Sequence, residues 1–340
     1  MRRLLIAAAC ALLLAGCGDK ATTTTRSDPA HAVVLVSGLA SDSPFTTPET
    51  ACTTGLSAGS ADTALREYLL TAGRTVYTAP AHAGPGQVRN QTGFGAFGSC
   101  PAPLPDTMTI DSTGSIDLAG EHLARFVEYL HKEKGVNEVD LVGHSMGGLY
   151  ARSAIRVLTA TGAPVKVRSL VTIGTPWQGS YLADFSDGTV PLGACGGDQF
   201  CQDQMRGYDK DIAKVYPSGS AHELGADYLK GWNTFQSGVL DPIPVTLIAG
   251  TRFARPGDPV VWPNDGIVAL RSALAADVDD SVLPHRRCHS FDDTHSDYVS
   301  MVSKLPKETA LPWDPRVLDA VAAAVDNPSI DGNNREGCPA

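Results

Sequence analysis

Residues 138–155 read EVDLVGHSMGGLYARSAI. The first part, within a run from Val136 to Val142, is β-branched and apolar and predicts a buried strand. A helix is expected from about Met146 to Thr159, opening through Gly147 and Gly148. Between them stands Ser145, inside Gly143-His144-Ser145-Met146-Gly147. A sharp strand-to-helix turn holds a hydroxyl clear of the backbone, and the strained turn needs small flanking residues. The same Gly-x-Ser-x-Gly pattern recurs around Ser57, at Gly55 to Gly59. There the preceding residues, Thr46 to Thr54, are a loop containing threonine and proline, and no strand delivers the serine. Context therefore selects Ser145.

Outward from this stretch, strand and helix signals alternate. His31–Leu39 (HAVVLVSGL) reads as a buried strand, Ala61–Leu70 as a helix closed by Gly73, and Arg74–Ala79 as a strand. Glycine and proline mark residues 80–114 as loop. Ser115–Lys134 carries Ile116, Leu118, Leu123, Phe126, Val127 and Leu130 at helical spacing and stops at Gly135. Lys166–Ile173 and Pro244–Ala249 are further strands. The alternation predicts an α/β fold with a mainly parallel sheet flanked by helices. Roughly seventy residues, Gly174 to Ile243, interrupt it, and an insertion of that length is expected to be a subdomain or a functional element.

The N-terminus, MRRLLIAAACALLLAGCGDK, has two arginines, an apolar run too short to span a bilayer and a small-residue exit, the layout of an export signal. Its end, Leu14-Ala15-Gly16-Cys17, resembles the lipobox of bacterial lipoproteins, which implies cleavage before Cys17 and lipid attachment to its sulfur. The expected organisation is a signal peptide over 1–17, a polar tether over 18–32, and one domain over 33–340 with a cap or lid over about 178–243. Export to the cell envelope places Cys52, Cys100, Cys195, Cys201, Cys288 and Cys338 in an oxidising compartment, where an even number favours disulfides. Cys195 and Cys201 are near enough to staple a local loop, and Cys52 with Cys100 would close a longer one, but spacing establishes neither pairing. No Cys-x-x-Cys pair supports zinc. With 27 Lys and Arg against 37 Asp and Glu, the chain has a formal charge of −10 and no basic stripe, which argues against a nucleic-acid partner.

Five stretches together resemble serine hydrolases of the α/β-hydrolase fold, and more narrowly bacterial extracellular triacylglycerol lipases and esterases. They are VVLVSGL (33–39), LVGHSMGG (141–148), VTIGTPWQGS (171–180), NDGIV (264–268) and THSDY (294–298), in the family's order. The resemblance implies a carboxylic-ester hydrolase working through an acyl-enzyme. The chemistry requires a hydroxyl, an imidazole to take its proton and a carboxylate to orient the imidazole. In these folds the order is serine, acid, histidine, which assigns Ser145, Asp265 and His295. Asp258 is the nearest rival for the acid; His285 and His289 are the other late histidines. His144, beside the serine, is read as a packing residue.

By the same resemblance, the amides of Leu39 and Met146 form the oxyanion hole. Two positions depart from the family. Ser37-Gly38 stands where relatives have His-Gly, and Trp177 stands where they commonly have histidine. Asp258 and Asp297 correspond to the two aspartates that hold a structural calcium in many such lipases, although calcium wants six or more oxygens. No cofactor is expected for the chemistry itself.

On the substrate side, Leu192–Asp211 is rich in Gly, Cys, Gln and Asp and shows no strongly amphipathic lid helix. That composition points to shorter or more polar esters. Leu229, Trp232 and Phe235 share a helical spacing read as core packing. Two alternatives use the same residues: a catalytically silent binding lipoprotein, and a lipid acyltransferase.

Overall fold

The computed structural model describes residues 30–49, 59–88, 101–329 and 335–338. In chain order the first elements are β1 (His31–Val36), α1 (Gly59–Thr71), β2 (Val76–Thr78), β3 (Ala81–His82) and β4 (Ile110–Asp111). Then come α2 (Ile116–Lys134), β5 (Glu138–His144), α3 (Gly147–Thr161) and β6 (Lys166–Ile173). The insertion holds α4 (Tyr181–Ser186), α5 (Gln199–Tyr208), α6 (Ser220–Glu223) and α7 (Ala226–Phe235). The chain returns through β7 (Val245–Gly250), α8 (Leu270–Ala273), β8 (Arg286–Phe291), α9 (Asp297–Val302), α10 (Pro315–Asp326) and β9 (Arg335–Glu336).

Seven strands form one sheet in the order β2-β1-β5-β6-β7-β8-β9, every neighbouring pair parallel. Successive side chains on a strand face opposite ways, so each inner strand feeds two cores. On one face Val34, Val36 and Leu141 pack with Leu123 of α2 and Leu149 of α3. On the other, Val33, Leu35 and Val142 pack with Leu65 and Leu69 of α1 and Val317, Val321 and Val325 of α10. Burial on both faces is why these strands read as continuous apolar runs.

The strand order also locates a crevice. From β1 the chain steps outward to β2, then returns to β5 on β1's other side and proceeds away through β6 to β9. This reversal between β1 and β5 is a topological switch point, and open α/β sheets bind ligands beyond the carboxyl ends of the strands there. Those ends deliver Ser37 to Leu39 and Ser145.

Several expectations change. Residues 31 and 32, where the tether and first-strand readings overlapped, belong to β1, in register with Glu138 and Val139. The presumed loop over 80–114 contains a short parallel pair, β3 with β4. The Leu192–Asp211 stretch does form an amphipathic helix: α5 buries Cys201, Met205 and Tyr208, with Asp198 accepting the Cys201 N–H at 2.9 Å as its cap. Its apolar face is built from cysteine, methionine and tyrosine rather than leucine. Phe235 is 82% exposed while Leu229 and Trp232 are buried. Steps of three residues fall short of the 3.6-residue turn, and the stripe drifts out of the core by its third member.

Disulfides join Cys195 to Cys201 and Cys288 to Cys338. Cys52, Cys100, Ser57, the signal peptide and Cys17 lie outside the described residues.

Candidate active site

Ser145 leaves β5 with φ 56°, a left-handed conformation for a residue that is not glycine. It is half-exposed, whereas its neighbours from Leu141 to Tyr150 are all buried. Its N–H donates to Ile173 O at 2.8 Å, and its carbonyl accepts the Thr175 hydroxyl at 2.7 Å. The strained bend is thus held from β6 and the loop beyond it. A Cβ at position 147 would stand 2.1 Å from Val36 O, so only glycine lets α3 start this close to β1.

Asp265 follows β7 and is fully buried. One carboxylate oxygen accepts the N–H groups of Ile267 and Val268 at 2.9 and 2.7 Å; the other accepts from His295 Nδ1 at 2.8 Å. A second tie runs along the backbone, His295 N–H to Asp265 O at 2.8 Å. With the Nδ1 proton committed to the carboxylate, Nε2 is left with its lone pair. Ser145 and His295 line one cavity of about 580 Å³, together with Leu39.

The Leu39 and Met146 amide N–H groups have no intramolecular acceptor among the described residues. They lie close together: a Cβ on Gly38 would stand 2.6 Å from Ser145 Cβ and 3.0 Å from Met146 N. Two unsatisfied donors beside a half-exposed hydroxyl form a site for a developing negative charge.

Asp258, the rival acid, is exposed and uses its carboxylate to accept the Val260 N–H in its own loop. His285 and His289 lie just before and within β8, and neither lines the cavity. Asp297 does line it, at the start of α9, with Oδ1 accepting the Tyr298 N–H. Among the described residues no three His, Cys, Asp or Glu side chains group to hold a metal.

His144 has a more specific place than packing. Its Nε2–H donates to the His295 carbonyl at 2.8 Å, and the two rings lie 4.9 Å apart. Burial, with the neighbouring His295 adding to it, pushes the His144 imidazole down to about 3, so it stays neutral. Only its position beside Ser145 in the motif hinted at this role; the partner is 151 residues away.

The insertion roofs the cavity with Asp203, Gln204 and Tyr208 of α5 and with Asp211 and Ile212 of the π-helical turn that follows it. Leu182, Leu224, Ile267 and Val268 supply apolar wall. Among the described residues the lining holds three carboxylates, Asp203, Asp211 and Asp297, and no lysine or arginine.

Residues 120–189 match the PGAP1-like alpha/beta domain family, a stretch running from α2 through the elbow to α4. A triacylglycerol lipase of Pseudarthrobacter phenanthrenivorans is 44% identical over 66 residues, 19% of this chain and 19% of that protein. One from Burkholderia plantarii is also 44% identical over 66 residues, 19% of this chain and 17% of that protein. The matched segment thus spans under a fifth of either relative's length. The crystal structure of a Bacillus licheniformis lipase in its propeptide form is similar with a TM-score of 0.50 at 18% identity, covering 84% of this chain and 53% of that one. The chain has the α/β-hydrolase fold, and it resembles triacylglycerol lipases and esterases of that fold.

Proposed function

We propose that this α/β-hydrolase chain is a serine carboxylic-ester hydrolase, a lipase or esterase working through an acyl-enzyme. One observation carries the reading: Ser145 and His295, distant in sequence, line one cavity, and the buried Asp265 carboxylate behind it accepts from the His295 imidazole at 2.8 Å. In the first half-reaction Ser145 Oγ attacks the ester carbonyl while His295 Nε2 takes its proton. Asp265 holds the imidazole in the required tautomer and stabilises the cation formed. The carbonyl oxygen becomes an oxyanion facing the Leu39 and Met146 amides, donors worth roughly 3 kcal/mol each in such sites. Collapse expels the alcohol, protonated by His295. Water, deprotonated by the same imidazole, then attacks the acyl carbon and releases the acid and Ser145.

The cavity supports neutral esters as substrates. Its wall is apolar, and its three carboxylates would repel an anionic group, whether on the substrate or on a departing fatty acid. Hydrolysis of p-nitrophenyl esters across acyl lengths, with Ser145→Ala beside wild type, tests the reading. Turnover should fall by about 10³-fold or more in the variant; equal rates would remove Ser145 from the chemistry.

We further propose, from the Leu14–Cys17 lipobox, that the mature protein is held at the cell envelope by lipid on Cys17. Cys17→Ala should move the protein to the soluble fraction, and unchanged membrane association would refute the anchor.

A further inference from the structure

The loop after β1 contains a second strained residue. Ala40 has φ 53°, a left-handed conformation that costs an alanine side chain and persists only where its surroundings hold it. The hold comes largely from one buried serine. Ser112, just beyond β4, accepts the Ala40 N–H on its carbonyl at 3.2 Å and donates its hydroxyl to Ser41 O at 2.9 Å, with His82 O at 3.0 Å as a second acceptor. The same Ser112 carbonyl accepts the Tyr150 hydroxyl at 2.9 Å. Tyr150 belongs to α3, one turn beyond Met146, whose carbonyl accepts its N–H at 3.1 Å. Ser112 therefore bonds to the loop that carries Leu39 and to the helix that begins after Met146.

A second clamp closes the loop's ends. Ser37 Oγ lies 2.7 Å from Ser43 Oγ, and Ser43 is paired through its backbone with Ala81 at 2.8 and 2.9 Å. Leu39 lies between the clamps with its N–H unpaired among the described residues. Position 37 is where the sequence departs from the family's His-Gly, and the serine there is buried and bonded within the chain's own loop.

We propose that Ser112 is a positioning residue for oxyanion stabilisation. Its hydroxyl and carbonyl fix the strained Ala40 turn and reference it to α3, so that the Leu39 and Met146 amides converge before substrate arrives. Preorganised donors cost no reorganisation when charge develops; a loop free to relax would have to be reordered in each transition state. The inference rests on the ester-hydrolase reading above.

Its test is Ser112→Ala, which removes the Ser41 anchor and leaves the backbone bonds. With p-nitrophenyl butyrate, kcat should fall about 10-fold with KM within about two-fold of wild type, and the inhibition constant of butylboronic acid, a tetrahedral-adduct former, should rise by the same factor. A purely structural role would lower the melting temperature without this parallel. Unchanged kcat, or a kcat loss without weaker boronate binding, overturns the proposal. Should Ser112→Ala not fold, Ser37→Ala opens the opposite clamp and should show the same paired change; its absence is equally fatal. Fluorophosphonate labelling separates the two levels: wild type that neither labels at Ser145 nor turns over esters refutes the hydrolase reading, and the role of Ser112 falls with it. Labelled, active wild type with an indifferent Ser112→Ala refutes the positioning role alone.

Discussion

Gly174, the residue after β6, offers a sharp test of the histidine–carboxylate pair. Its φ is 59°, and a Cβ built there would stand 2.9 Å from His295 Nδ1 and 3.2 Å from Asp265 Oδ2. Gly174→Ala therefore pushes a methyl against the 2.8 Å hydrogen bond that orients the imidazole. Ordinary contact would require the ring to retreat by about half an ångström. A hydrogen bond to a charged partner is worth about 1.5–3 kcal/mol, and misplacing a reacting group by about 1 Å costs on the order of 10² in rate. The expected fall in kcat is about 10- to 100-fold, with KM little changed because Gly174 does not line the cavity. The backbone cost of a left-handed alanine, about 1–2 kcal/mol, appears separately as a lower melting temperature. Gly162→Ala supplies the control: φ is 64° and nothing lies within 4 Å of the added Cβ, so it should lose similar stability and no kcat. Steady-state kinetics on p-nitrophenyl butyrate with thermal melts of both variants decides the matter. A Gly174→Ala enzyme within two-fold of wild-type kcat would refute the idea that this pair is tight and needed.

Three further outcomes are expected. His144→Leu leaves the His295 carbonyl without its buried donor, at a cost of about 1–3 kcal/mol, and should lower kcat; His144→Gln, whose amide reaches about as far as Nε2, should restore most of it, and equal activity of the two variants would contradict a hydrogen-bonding role. Asp293 is held by burial and by the adjoining Asp314 with its carboxyl pushed up to about 7, above its unfolded value. Its stabilising contribution is then fully present below about pH 4 and lost progressively as pH rises to about 7, so Asp293→Asn should melt close to wild type near pH 4 and above it near pH 8.5, and a pH-independent difference in calorimetry would argue against this linkage. The Cys288–Cys338 disulfide closes a separation of 50 residues and Cys195–Cys201 one of 6; chain entropy gives about 4 against about 2 kcal/mol, so denaturant unfolding should find Cys338→Ser the more damaging, and the reverse order would contradict the ranking.

The central strands and the elbow were legible because burial on both faces makes β1, β5, β6 and β7 nearly continuous apolar runs, and because a strained serine turn needs its glycines. By contrast β8 reads RRCHSF, and its polar residues concealed it. Cys288 is tied to Cys338, and Arg286 reaches back to Asp280 and to the carbonyls of Ala275 and Val278. Sequence order identified Asp265 and His295, which the structure brings together. It did not reveal His144 as a strut or Ser112 as an anchor. Both act through hydrogen bonds to partners distant in the chain, one for His144 and several for Ser112, and such bonds leave no periodicity or spacing.

Trp177, the departure after Gly-Thr-Pro, has a physical account that joins these levels. Arg152, on the helix leaving the elbow, is fully buried, and among the described residues it makes no ion pair with a carboxylate. Its guanidinium lies 4.1 Å from the Trp177 ring centroid and 4.7 Å from that of Trp232, and it donates to Asn233 Oδ1 at 2.8 Å. Asn233 in turn donates to Trp177 O at 2.9 Å. A buried cation without a counter-ion carries a desolvation penalty of several kcal/mol, and two aromatic faces at about 2 kcal/mol each when desolvated are the available offset. Histidine at 177 would replace the indole, the best cation–π face, with a smaller ring that brings a second basic group toward the guanidinium. Arg152 comes from α3, Trp232 and Asn233 from α7 of the insertion, and Trp177 from the loop between the sheet and that insertion. The tryptophan thus belongs to the joint that fixes the roof of the cavity to the helix leading away from Ser145, and the arginine, rather than the reaction, dictates an aromatic residue there.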